Sequence, residues 1–112
     1  MMRHLLFTLK GCDVELLEDT EFMRKALFQT AKECNSTLLD LSIHKFEPQG
    51  FTGLAMLAES HISIHTWPEK SMAVCDAFTC GEHTTPEKGV EFLKERLKAT
   101  EVVLREFERP IQ

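Results

Sequence analysis

The chain has no CxxC pair, no run of lysine or arginine, and no apolar stretch long enough to cross a bilayer. Each absence excludes something. The four cysteines, Cys12, Cys34, Cys75 and Cys80, fall inside expected elements without paired spacing, which fits a reducing cytoplasm and not a disulfide framework. Without a basic run, and with a net charge of −5, the chain has little to attract nucleic acid or an anionic membrane. The opening MMRHLLFTLKG is basic and apolar but lacks a small-residue cleavage site. It alternates Leu5, Phe7 and Leu9 against Leu6, Thr8 and Lys10, so it reads as a first strand and not as a signal peptide. The expected location is the cytoplasm. No linker, low-complexity tract or repeat divides the 112 residues, which read as a single domain, 1–112.

What is present is strongly patterned. Residues 19–34 carry Phe22, Met23, Ala26, Leu27, Thr30, Ala31 and Cys34 at helical spacing behind an Asp19/Thr20 cap. TLLDLSIHKF then alternates, with Leu39, Leu41 and Ile43 on one face and Asp40, Ser42, His44 and Phe46 on the other. FTGLAMLA is apolar on both faces and reads as a buried central strand. HISIHTW and SMAVCDAFTC follow as two more strands, divided by a turn at Pro68. Thr85 and Pro86 open a second helix with the stripe Val90, Leu93, Leu97, and EVVLREF closes the chain as a strand. The order β-α-β-β-β-β-α-β describes an α+β fold, a sheet with two helices on one face. Since strands such as 51–58 and 71–80 are apolar on both faces, the second face needs a cover that the chain does not contain. The expectation is a homodimer, packed sheet to sheet by a two-fold axis into an αββα sandwich.

The chemistry concentrates in LAESHISIHTWPEK, residues 57–70. On a strand, Ser60 shares a face with Ile62 and Ile64, while His61, Ser63 and His65 share the other. One reading is a half-buried strand with hydrogen-bonded interface histidines. A metal site built on His61 and His65 is disfavoured, because four residues of strand separate their α-carbons by roughly 13 Å, too far for one tetrahedral ion. No metal is expected. A hydrolytic serine is also disfavoured, since Ser60 follows Glu59 with no glycine beside it and no GxSxG elbow. That leaves a serine attacking the carbonyl directly before it, which needs an oxyanion donor and nearby proton carriers.

AESHISIHTWPE resembles the processing site of the prokaryotic S-adenosylmethionine decarboxylases, a pyruvoyl-dependent family. RHLL and GCD near the start, H-x-F-x-PQG at 44–50, FTCG at 78–81 and PEKGVEFLKE at 86–95 extend the resemblance over nearly the whole chain. It implies a zymogen that cuts itself between Glu59 and Ser60 into 1–59 and 60–112, converting Ser60 into a covalent pyruvoyl cofactor. That group would form a Schiff base with S-adenosylmethionine and act as electron sink, as pyridoxal phosphate does elsewhere. The products would be carbon dioxide and S-adenosylmethioninamine, for spermidine and polyamine biosynthesis. The resemblance further implies His65 as proton acceptor in processing and Cys80 as proton donor in catalysis. It implies Thr52, where the family commonly has serine, as support for the acyl shift. Phe46 and Trp67 are suited to stack on adenine, and Glu69 to accept from the ribose hydroxyls. Cys12, Cys34 and Cys75 read as structural. The partners implied are S-adenosylmethionine and a second copy of the processed two-chain protomer, with no nucleic acid and no membrane. Two alternatives stay open: a pyruvoyl enzyme of this fold acting on arginine or ornithine, and a non-catalytic binding dimer that never processes.

Overall fold

The alternation at the start of the chain forms an interior strand of a sheet. In a computed structural model that describes residues 2–110, β1 (Met2–Lys10) is followed by a 3-10 turn (Leu16–Glu18) and α1 (Thr20–Glu33). Then come β2 (Leu38–Lys45), β3 (Phe51–Leu57), β4 (His61–Trp67), a second 3-10 turn (Pro68–Lys70) and β5 (Met72–Cys80). The helix α2 (Pro86–Arg96) and the strand β6 (Glu101–Arg109) complete the fold. The six strands form one sheet in the order β2-β3-β4-β5-β1-β6, and every neighbouring pair is antiparallel. The first strand therefore lies between β5 and the last strand.

Both helices pack on one face of this sheet. Asp19 caps α1, its carboxylate accepting the Phe22 N–H at 2.9 Å, and the expected stripe of Met23, Ala26, Leu27, Thr30, Ala31 and Cys34 is buried. Thr85 stands at the N-cap of α2, ahead of Pro86, but its hydroxyl makes no cap bond. It donates instead to the Glu33 carbonyl at 3.0 Å, so the start of α2 is tied to the end of α1. Beneath the helices lie Leu5, Phe7, Leu9, Phe51, Ile62, Ile64 and Cys75, all buried. Full burial of each large apolar side chain is worth about 1.5–3 kcal/mol, so this face holds the fold.

Two sequence expectations change. In β2 the register shifts between Leu38 and Asp40, a bulge that turns Leu39 outward, 61% exposed. Leu38 takes its place against the core beside Leu41 and Ile43. Strand β3 is buried on the helix side only: Leu54 and Met56, on the other face, are exposed. That second face also exposes Leu6, Val74, Val103 and Phe107, an unusual amount of apolar surface for an uncovered sheet.

Candidate active site

The Glu59–Ser60 peptide lies at a hairpin tip. Leu57 and Ser60 exchange both backbone hydrogen bonds, at 2.9 and 3.2 Å, so Ala58 and Glu59 form a two-residue turn joining β3 to β4. Ser60 is thus the last turn residue, ahead of β4, and not a strand residue as its alternation implied. The tip is held from outside. The Ala58 N–H donates to the Thr37 carbonyl at 2.9 Å, and the Thr37 N–H donates to Glu59 Oε1 at 3.0 Å. His83 Nε2 meets Glu59 Oε2 at 3.1 Å. The Thr37 N–H and the bond to His83 hold the Glu59 carboxyl below the usual carboxylate range, against a smaller opposing effect of burial.

Cys80 ends β5, half-buried, on the open face of the sheet. The β4–β5 pairing aligns His61 with Phe78, so Cys80 lies beside the turn that carries Glu59 and Ser60. Cys75, five residues back, faces the helices and is buried. Burial pushes its thiol well up, and pushes those of Cys12 and Cys34 up to about 11. These three thiols hold their protons at neutral pH and serve as core residues.

A second group of side chains lies at the other end of β4. Thr52 and His65 face one another across β3 and β4, and Thr52 Oγ1 shares a hydrogen bond with His65 Nδ1 at 3.0 Å. Together with Phe46, Trp67 and Glu69 they line a depression of about 330 Å³. Its rim, the 46–50 loop, is closed by the Phe46 N–H to Gly50 carbonyl bond at 2.9 Å. Gly50 has φ +86, and a Cβ there would meet the Thr66 carbonyl oxygen at 2.8 Å, so only glycine closes this loop. Glu18 anchors it, accepting the Gly50 N–H at 2.7 Å and Lys45 Nζ at 2.9 Å.

Between the two groups lies a polar cluster that the sequence reading missed. Asp76 Oδ2 accepts from His4 Nε2 at 2.7 Å and from His61 Nε2 at 2.9 Å, and Ser63 Oγ donates to Oδ1. Burial pushes the Asp76 carboxyl up, but the bonds from Ser63, His4 and His61 together hold it below the usual range. The signal was present in SMAVCDAFTC, where Asp76 is the single charge in an otherwise apolar strand. His4, His61 and Asp76 are also the one group of metal-ligating side chains among the described residues. Arg109 Nη1 lies 3.2 Å from His4 Nδ1. Arginine can only donate, so His4 Nδ1 accepts, and its Nε2 carries the proton given to Asp76. In that arrangement His4 offers no lone pair to an ion.

The expected site residues thus fall into two sets. Glu59, Ser60 and Cys80 gather at the hairpin tip, whereas Phe46, Thr52, His65, Trp67 and Glu69 gather at the depression. Five residues of strand separate Ser60 from His65, roughly 16 Å between α-carbons, beyond the combined reach of a serine and a histidine side chain. Within one chain the two sets do not meet.

The comparisons with known proteins point to one family. A family model described as S-adenosylmethionine decarboxylase matches residues 3–110. A curated S-adenosylmethionine decarboxylase proenzyme of a Synechococcus strain is 52% identical over 107 residues, covering 96% of this chain and 84% of the relative. One of Methanococcus vannielii is 45% identical over 109 residues, covering 97% and 89%. The crystal structure of the adenosylmethionine decarboxylase from Aquifex aeolicus superposes with a TM-score of 0.91 at 33% identity, covering all of this chain (100%) and 92% of that one. The chain belongs to the S-adenosylmethionine decarboxylase family.

Proposed function

We propose that this chain is a self-processing enzyme that decarboxylates S-adenosylmethionine at a site shared by two copies. The observation that carries this reading is the position of the Glu59–Ser60 peptide in the two-residue turn between β3 and β4. A bond there can open while both strands stay paired, leaving residues 1–59 and 60–112 in one fold. The residues around position 60 fit a pyruvoyl group made from Ser60: a half-buried position directly ahead of β4, with Cys80 on the neighbouring strand close to it by the β4–β5 register. Such a group supplies the carbonyl that takes the substrate amine and draws off the electron pair left by carbon dioxide. Cys80 holds the proton that returns to the substrate carbon.

His65 and Thr52 reach Ser60 only from a second copy. A two-fold axis lying between two open faces, and running across the strands, reverses β4 of one protomer over β4 of the other. The Thr52–His65 pair of one copy then approaches the hairpin tip of its partner. His65 takes the Ser60 α-proton during processing, with Thr52 fixing the imidazole through its hydroxyl. Phe46 and Trp67 offer faces to an adenine ring, and Glu69 accepts from the ribose diol. The apolar surface left by Leu6, Leu54, Met56, Val74, Val103 and Phe107 is covered in the same step.

A denaturing intact-mass measurement tests the processing, and mixed dimers test the sharing. Wild-type protein is expected as two fragments divided between residues 59 and 60, the second carrying the pyruvoyl mass. Ser60→Ala alone and His65→Ala alone are expected to remain single chains. Co-expressed, they form mixed dimers in which the His65→Ala chain keeps Ser60 and its partner supplies His65. Cutting of the His65→Ala chain in the mixture is the expected result, and its absence would remove the shared site.

A further inference from the structure

The turn that carries the scissile bond is not built to hold itself. Two-residue hairpins favour Asn-Gly, Asp-Gly or Gly at the tip, because those residues adopt the backbone twist of the flanking strands. Here the tip is Ala58–Glu59, and neither residue has a positive φ. Its support comes from two other parts of the chain. Thr37, just ahead of β2, pairs with Ala58 and with the Glu59 carboxylate through its backbone. His83, in the loop between β5 and α2, holds the second carboxylate oxygen through Nε2.

That loop is itself fixed. The His83 carbonyl accepts from Asn35 Nδ2 at 2.8 Å, and the Thr85 N–H donates to the Cys34 carbonyl at 2.8 Å, both at the end of α1. Gly81, directly after Cys80, has φ +106, and a Cβ on it would meet the His83 ring at 2.8 Å. The imidazole is thus packed over the Gly81 backbone with Nε2 aimed at Glu59. Although the His83 side chain is 54% exposed, the Glu59 side chain is only 15% exposed, so the carboxylate sits in a fitted seat.

We infer that His83 is a positioning residue for self-cleavage, which acts through the Glu59 side chain to hold the scissile carbonyl in line with Ser60 and to retain Glu59 once it is a chain end. The inference rests on the self-processing reading and adds to it the part of the chain that aims the electrophile. In the first step Ser60 Oγ bonds to the Glu59 carbonyl carbon, the C–N bond breaks, and the hydroxyl proton ends on the freed amine. In the second, the Ser60 α-proton is removed and the Cβ–Oγ bond breaks, so Glu59 departs as an α-carboxylate. The unsaturated residue then takes up water and loses ammonia. Both steps turn on the orientation of one residue, Glu59, at the tip of the turn, where the seat of its side chain adds to the backbone bonds of Leu57, Ala58 and Ser60. After the second step Glu59 carries two carboxylates, and the seat at Thr37 and His83 keeps this new terminus against the fold.

The test follows cutting of freshly translated chains by intact mass, in parallel with decarboxylation turnover counted per pyruvoyl-bearing fragment. His83→Ala is expected to slow cutting about tenfold, the worth of one hydrogen bond to a charged group. Its turnover per pyruvoyl is expected to fall by much less. His83→Gln places an amide donor where Nε2 stood and is expected to recover most of the rate. Glu59→Asp keeps the charge but shortens the reach, and is expected to cut slowly with His83 in place. Wild-type cutting in His83→Ala would overturn the inference, as would His83→Gln as slow as alanine. Equal losses in cutting and in turnover would also overturn it, by making His83 a general support of the site. A wild-type chain that never cuts would overturn the self-processing reading and the inference with it, whereas the variant outcomes bear on the inference alone.

Discussion

At the scale of single residues, burial separates the cysteines and hydrogen bonding holds down several of the acids. Cys80 is the one thiol on the open face; the resemblance carried by FTCG singled it out, and its five-residue offset from Cys75 in an alternating strand made the two face opposite ways. Cys80→Ala is expected to cut normally yet lose turnover by about 10²–10⁴-fold, the usual yield of a general acid, in an assay of released carbon dioxide. Asp76, Glu59 and Glu18 each have a folded-state carboxyl held below its ordinary range. Groups depressed in this way add stability that is present above the unfolded-state pKa and is lost as pH falls through the folded one. Thermal melts are therefore expected to weaken from roughly pH 4.5 downward. Asp76→Asn should lower the melting temperature at neutral pH, with a cost of about 1–3 kcal/mol for its three donors, and should flatten the acid limb. The cluster around Asp76 escaped sequence reading because His4, His61 and Asp76 lie on three strands whose adjacency only the sheet order reveals.

At the scale of elements, most of the fold follows from periodicity, and the exceptions have local causes. The α1 stripe and its Asp19 cap could be read directly, because a helix face and a capping carboxylate are properties of neighbours in sequence. The bulge in β2 could not, since Leu38 and Leu39 are equally apolar and only the pairing with Leu57 decides which one turns inward. Thr85 was expected as a cap by its position, but the carbonyl of Glu33, 52 residues away in sequence, takes its hydroxyl. The same contact between helices sets the next expectation. Alanine ordinarily stabilises a helix relative to glycine, but a Cβ on Gly89 would run into Cys34 Sγ and crowd Thr30. Gly89→Ala is therefore expected to destabilise the protein by about 1–3 kcal/mol, the range for overpacking a core. A urea titration checks the sign, and a gain in stability would mean that α2 can slide away from α1.

At the scale of the whole molecule, the uncovered apolar face is the surface on which the proposed second copy would pack. Phe107, on the edge strand β6, is 51% exposed and far along the sheet from both Thr52 and Ser60. Phe107→Asp is expected to give a monomer in sedimentation, and with it a chain that no longer cuts, because the lesion touches the association and not the chemistry. A monomer that still cuts would return His65 to some other task. The proposal of a second copy has its root in the sequence, in strands apolar on both faces. The proposed division of the site was less legible, because only the β3–β4 pairing sets Thr52 beside His65, away from the turn at Ser60. The strand order carries one more consequence. The proposed cut at 59 would assign β1, β2 and β3 to one fragment and β4, β5 and β6 to the other, while β1 lies between β5 and β6 in the sheet. The fragments would be interlaced, each holding a place inside the other's run of strands. Neither could leave without unzipping the sheet, and once apart they would have to find each other by diffusion. An uncut chain would refold as a first-order event and a cut one as a second-order encounter, so maturation would fix an arrangement that the two pieces have no unimolecular route to rebuild.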